Sequence, residues 1–219
     1  MTPHPILRSL LPLFALAPLA ACASLLAGGK PDSLYRFGIS TRDMTIHSTD
    51  TTAQQHAIRL ARFRFAPEIE GDRILTASGD GVLYLKNARW VSPAPDLMMQ
   101  AIVHRFDERA PTIRLTPAMA RSSDSMQLRL AFDRFEARYD AGSLPDTPPT
   151  ILVSGTAELS ETAGLQPRGQ RSFWVEETAT ANTRAAIVSA FDRAVKRYTV
   201  ELVDWTVQTD MARGPAPAK

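Results

Sequence analysis

Residue types that do covalent or metal chemistry are sparse in this chain and poorly spaced for it. There is one cysteine, Cys22, so neither an internal disulfide nor a cysteine-built zinc site can form. The histidines are His4, His47, His56 and His104, and no two stand in the HExxH spacing that sets a pair of ligands on one helix face. Asp43 and Asp50 flank His47 in a polar stretch, which admits at most a weak metal site. Ser154-Gly155 lies in VSGTA, without the GxSxG turn that exposes a nucleophilic serine. Glu176 and Glu177 are adjacent on an expected strand, so they point to opposite faces and make a poor acid–base pair. Gly28-Gly29-Lys30 lacks the GxxxxGK[ST] spacing, and Pro31 stands where the hydroxyl belongs. These residues assign no catalytic group, no cofactor and no metal site, and the chain is expected not to be an enzyme.

Charge narrows the partners. Lys and Arg number 25 against 23 Asp and Glu, a net charge of +2, too small an excess for a nucleic-acid surface. Hydrophobic residues at 44% and charged residues at 22% are enough for a folded core.

Cys22 does have a chemical context. Residues 1–8 carry Arg8 and the amino terminus and no acid, and residues 10–21 (LLPLFALAPLAA) carry no charge. A helix of that length rises ~18 Å, short of a ~30 Å hydrocarbon core, and Pro12 and Pro18 interrupt it. This is the pattern of a secretory signal peptide. Leu19-Ala20-Ala21-Cys22 resembles the bacterial lipobox, in which the cysteine is acylated and becomes the first residue of the mature chain. Cys22 is then an anchor rather than a nucleophile. Each buried CH₂ contributes ~0.8 kcal/mol, so two or more palmitate-like chains hold the protein to a membrane durably. Ala23 follows the cysteine instead of an acid. By resemblance to Gram-negative lipoproteins, this predicts the periplasmic face of the outer membrane.

The elements behind Cys22 read as strands first. Ser33–Ile39 is a short strand, residues 43–55 a polar loop, and His56–Phe65 a strand with apolar residues in two phases. Arg73–Ala77 and Val82–Lys86 flank Ser78-Gly79-Asp80-Gly81, a hairpin signal. A helix should begin near Ser92–Asp96, carry Leu97, Met98, Ala101, Ile102 and Phe106 on one stripe, and end at Pro111. Residues 114–125 read as a connection. Leu128, Leu130 and Phe132 alternate, and Phe135, Ala137 and Tyr139 resume one step out of phase, which predicts a β-bulge at Asp133–Arg134. Ile151–Leu159 and Arg171–Glu177 are further strands. Ile187, Phe191, Val195, Tyr198, Leu202 and Trp205 recur at helical spacing over about five turns, with Asn182 or Thr183 as the N-cap.

Strand runs with two helices predict an α+β fold. The sheet should be mostly antiparallel, with a mixed arrangement left open, and two main helices should pack on it. The expected division is a signal peptide (1–21), a lipidated tether (22–32), one domain (33–207) and a disordered tail (208–219). On the sheet, Trp174 alternates outward from Phe173 and Val175. If it shares an uncovered face with Leu152, the two form a patch for a partner or acyl chain, rimmed by Arg129 and Arg171. The same residues better suit a small second core beneath the 141–149 loop.

The order of landmarks resembles the ABC-type transport auxiliary lipoprotein family. A lipobox is followed by Leu34-Tyr35, then Asp72-Arg73-Ile74, Tyr84, Ala88-Arg89-Trp90 and a helix. The strand pair 151–159 and 173–175 comes next, and a last helix carries Ala190-Phe191 and ends at Leu202-Val203-Asp204-Trp205. The resemblance spans about residues 19–207. It implies a non-enzymatic component of an MCE-type ABC transport system that docks a periplasmic MCE-domain protein at the outer membrane for lipid transport. The alternative is a lipoprotein that itself carries a lipid or amphiphile in a pocket between helix and sheet.

Overall fold

The computed structural model describes residues 31–38, 56–61, 63–118, 126–144, 146–164 and 166–212. The signal peptide, Cys22, the polar stretch 43–55 with His47, and residues 213–219 lie outside the described residues. No described helix is long and apolar enough to cross a membrane.

Nine strands and two long helices follow in the order β1 (Ser33–Tyr35), β2 (His56–Leu60), β3 (Arg64–Phe65), β4 (Arg73–Ser78), β5 (Gly81–Trp90), α1 (Ala94–Arg109), β6 (Ile113–Pro117), β7 (Met126–Tyr139), β8 (Thr150–Glu161), β9 (Pro167–Thr178) and α2 (Arg184–Met211). A single 3₁₀ turn, Pro67–Ile69, precedes β4. The sheet is mixed, and the fold is α+β as the sequence predicts.

The spine of the sheet is β7. On one side it pairs antiparallel with β8, and β8 pairs antiparallel with β9 at the edge. On the other side three short strands line up parallel along it in turn: β2 at Met126–Leu128, β3 at Ala131–Phe132 and β4 at Glu136–Tyr139. Beyond these the sheet forks, to β6 alongside β2 and to β5 and β1 alongside β4. The expected single strand over 56–65 is thus two strands. Its two apolar phases, Ile58 and Leu60 then Phe63 and Phe65, meet β7 in registers one residue apart, and the break between β2 and β3 absorbs the step. The 114–125 segment also departs from expectation, because Ile113–Pro117 forms β6 parallel to β2. Five residues with a proline at the end carry too weak a period to announce a strand.

The bulge lies where the phase slip puts it. Phe132 pairs with Gly155 and Arg134 with Ser154, so Asp133 is the extra residue. The Ser154 hydroxyl donates to its carboxylate at 2.7 Å. The bulge keeps Leu128, Leu130 and Phe132 on the helix side and returns Phe135 and Ala137 to that side after it; all five are buried.

Both helices cover one face of the sheet. α2 begins at Thr183, whose hydroxyl accepts from the Ala186 amide, so Thr183 rather than Asn182 is the cap. It runs 28 residues, well past the five turns that the apolar spacing marks. Its inner stripe meets an aromatic cluster. Phe191 lies 4.9 Å from Phe135 and 5.2 Å from Trp90, and Tyr198 lies 5.2 Å from Phe132 and 5.3 Å from Phe173, centroid to centroid. Burial pushes the Tyr198 phenol far up, so it stays neutral. α1 packs beside α2, and Arg109 holds Asp204 through three bonds of 2.8, 3.0 and 3.2 Å.

Candidate functional site

The residues that carried the resemblance turn out to hold the start of the domain in place. The Arg89 guanidinium bonds Asp72 at 2.8 Å and Asp32 at 2.8 Å, which ties β1 and the start of β4 to β5. The Trp90 amide donates to the Asp72 carbonyl at 2.7 Å. The Trp90 ring is 1% exposed and stands edge-on to Phe37 and Phe191. Asp72, Arg89 and Trp90 are therefore a clamp, fixed by charge and packing.

The two histidines among the described residues have separate carboxylate partners. His56 lies 3.3 Å from Asp210, and His104 lies 3.3 Å from Glu108 one turn along α1. No group of three or more metal-ligating side chains occurs among the described residues.

The face of the sheet that the helices leave uncovered carries a polar lattice. Arg129 bonds Glu158 at 3.2 Å. Arg138 of β7 reaches Glu176 of β9 at 2.7 Å, crossing over β8. Where β3 meets β7 this face is hollowed. A depression of about 510 Å³ is lined by Arg64, Arg129, Glu158 and Gln170, with Ala131 and Thr156 as its floor. A neighbouring one of about 430 Å³ shares Arg64, Ala131 and Thr156 and adds Phe65 and Asp133. Cations, a carboxylate and an amide in an open hollow suit a polar protein surface. They do not make a dry channel for an acyl chain. The space between α2 and the sheet is filled by the aromatic cluster.

Trp174 sits on this open face, opposite Ser154, and is 58% exposed while its neighbours Phe173 and Val175 are buried. Leu152 lies on the same face but is 1% exposed. An exposed Leu152–Trp174 patch is therefore corrected. Leu152 is central in the sheet, between Glu136 and Glu176, with the Arg138–Glu176 pair crossing beside it. Trp174 is on the edge strand, where nothing described covers it. Arg171 is also reassigned. Its guanidinium sits 4.9 Å over the Phe173 ring and 3.9 Å from Glu201 of α2, so it belongs to the helix side. Arg129 does face the hollow.

α2 secures β9 from behind. Arg193 bonds Glu177 at 2.7 Å and Arg197 bonds it at 3.2 Å, and the same two arginines donate to the Thr178 and Glu176 carbonyls. The Arg193 bond, opposed by burial and supported by Arg197, holds the Glu177 carboxyl below the usual carboxylate range. A depressed folded pKa stabilises above the unfolded value of about 4.3, and that contribution is lost as pH falls through the folded value. Glu177→Gln should lower the urea midpoint at neutral pH and flatten its fall below about pH 4.5. Midpoints measured across the acid range check this; a variant curve that stays parallel to the parent would rule the clamp out.

A sequence model of the ABC-type transport auxiliary lipoprotein component family matches residues 39–203. No curated protein matches the chain by sequence. Among solved structures, the chain is similar to protein XCC0632 of Xanthomonas campestris, described as a DUF330 protein. The TM-score is 0.64 at 23% identity, covering 74% of this chain and 91% of that one. A second structure, described only as an uncharacterized protein, gives 0.62 at 14% identity, covering 81% and 99%. The hypothetical protein CT253 of Chlamydia trachomatis gives 0.51 at 8% identity, covering 73% and 99%. These likenesses concern the fold. The matched span takes in α1, α2 as far as Val203, the β7 spine and the Asp72–Arg89–Trp90 clamp, and the chain belongs to the ABC-type transport auxiliary lipoprotein family.

Proposed function

We propose that the protein is a non-enzymatic, lipid-anchored component of an MCE-type ABC transport system. Acylated Cys22 and the 22–32 tether hold the domain at the periplasmic face of the outer membrane. There it docks the periplasmic MCE-domain protein for lipid transport. The observation that carries this reading is the family match over 39–203, on a chain whose single cysteine ends a lipobox. The open sheet face supports it. Trp174, on the same sheet face as a hollow rimmed by Arg64, Arg129 and Glu158, is an aromatic anchor on a polar face. The aromatic filling between α2 and the sheet disfavours a lipid carried at that position.

The test is a pull-down from membranes with a C-terminally tagged full-length chain, read by mass spectrometry. An MCE-domain protein should be recovered, and Trp174→Ala should reduce that recovery about tenfold or more, as expected for a central interface aromatic. Recovery of lipid with no envelope transporter component would sink the docking role. Cys22→Ala should keep the native circular dichroism spectrum and move the protein from the membrane to the soluble fraction. Retention in the membrane fraction would place the anchor elsewhere.

A further inference from the structure

Nine large apolar side chains are exposed among the described residues. Five of them, Leu34, Val82, Leu83, Tyr84 and Val91, lie on β1, on β5 or directly after β5. Leu83 is 75% exposed and Leu34 62%. This is one edge of the sheet. β5 pairs with β4 on one side, while on the other β1 covers only Ala88–Trp90. Gly81–Asn87 therefore has no strand partner on that side among the described residues.

Two features say what covers this edge. The first is that it is apolar on both faces, because Val82 and Tyr84 point one way and Leu83 the other. A protein laid flat on the sheet takes one face, whereas an edge dipped into a lipid interface is surrounded. The second is where the chain enters the domain. Ser33 pairs with Ala88, so the domain's first strand begins at this edge, and eleven residues of chain, 22–32, precede it from Cys22 on. Fully extended they reach ~36–40 Å, and Leu83 is only ~17 Å of strand from Ala88. A lipid on Cys22 keeps Leu83 within range of the bilayer.

We propose that the open edge of β5, with Val82 and Leu83 foremost, rests in the headgroup–acyl boundary of the membrane that holds Cys22. This rests on the acylation of Cys22 proposed above. Asp80 in the turn and Lys86 at the far end of the strip limit the depth to the interface, ~5–10 Å. Arg73, whose guanidinium lies 4.2 Å over the Tyr84 ring, adds a cation at headgroup level.

The test uses the acylated full chain in vesicles of phosphatidylethanolamine and phosphatidylglycerol. Leu83→Cys, and separately Met211→Cys at the exposed end of α2, near His56 and the opposite end of β7, are labelled with a polarity-sensitive fluorophore; acylation removes Cys22 as a competing thiol. Intact mass reads the acyl group directly. A spin label near the headgroup should quench the probe at position 83 at least about threefold more than at 211, and more than a label deep in the acyl chain. Equal quenching at 83 and 211 with the acyl mass present overturns the inference alone, as does shielding at 83 that persists without lipid, which would mark a second protein copy. Absence of the acyl mass overturns the anchor reading and this inference with it.

Discussion

Gly155→Ala is expected to cost about 3 kcal/mol or more, a large part of the stability of a domain this size. A β-carbon at Gly155 would stand 2.4 Å from the Ala131 carbonyl oxygen and 3.1 Å from the Phe132 α-carbon. Both are backbone atoms of β7, so no side-chain rotation relieves the overlap. The crowding follows from the bulge. The extra residue, Asp133, directly follows the Phe132–Gly155 pair, and Phe173 flanks the same position from β9. Relief would need β7 to move away from β8, and β2, β3 and β4 all hang on β7. The urea midpoint followed by tryptophan fluorescence should fall sharply. Gly71→Ala, where a β-carbon meets nothing nearer than 4.0 Å, should change it little. Equal midpoints for Gly155→Ala and the parent would remove the steric reading of the bulge.

Trp90→Ala should cost about 3–5 kcal/mol, the range for deleting a buried aromatic. Trp90 is the residue on which four parts of the fold meet. Its ring is 4.9 Å from Phe37, 6.0 Å from Phe135 and 5.2 Å from Phe191, which join the segment after β1, the sheet spine and α2. Its own strand, β5, is the fourth. Trp90→Phe keeps an edge-on partner for both Phe37 and Phe191 and should lose roughly half as much or less. Thermal unfolding of the two variants side by side distinguishes packing from a role in partner binding. If Trp90→Ala unfolded with the parent yet lost a partner, the ring would be part of a docking surface instead.

The elements most legible in the sequence were those with long, regular periods. α2 announces itself through Ile187, Phe191, Val195, Tyr198 and Leu202, because every third or fourth residue must face the sheet. The bulge was legible for a related reason. Side-chain alternation has period two, so a slip between Phe132 and Phe135 leaves an inserted residue as the economical solution. β6 and the split of β2 from β3 were not legible. These segments are only two to five residues long, and their positions are set by which part of β7 they meet.

The candidate site divides along the same line. The sequence alone determined that Trp174 points away from Phe173 and Val175, that the lone Cys22 ends a Leu-Ala-Ala-Cys stretch resembling a lipobox, and which landmarks mark the family. Each depends on neighbours in the chain, so local rules suffice. Only the tertiary structure decided that Leu152 is covered while Trp174 is open, that Arg171 belongs to α2, and that Arg89 clamps Asp32 and Asp72. Alternation tells which face a side chain takes, but not whether its strand is central or at an edge, nor what crosses above it. Those properties come from pairings between residues far apart in sequence, and the chain reveals them only once β7 has gathered its partners.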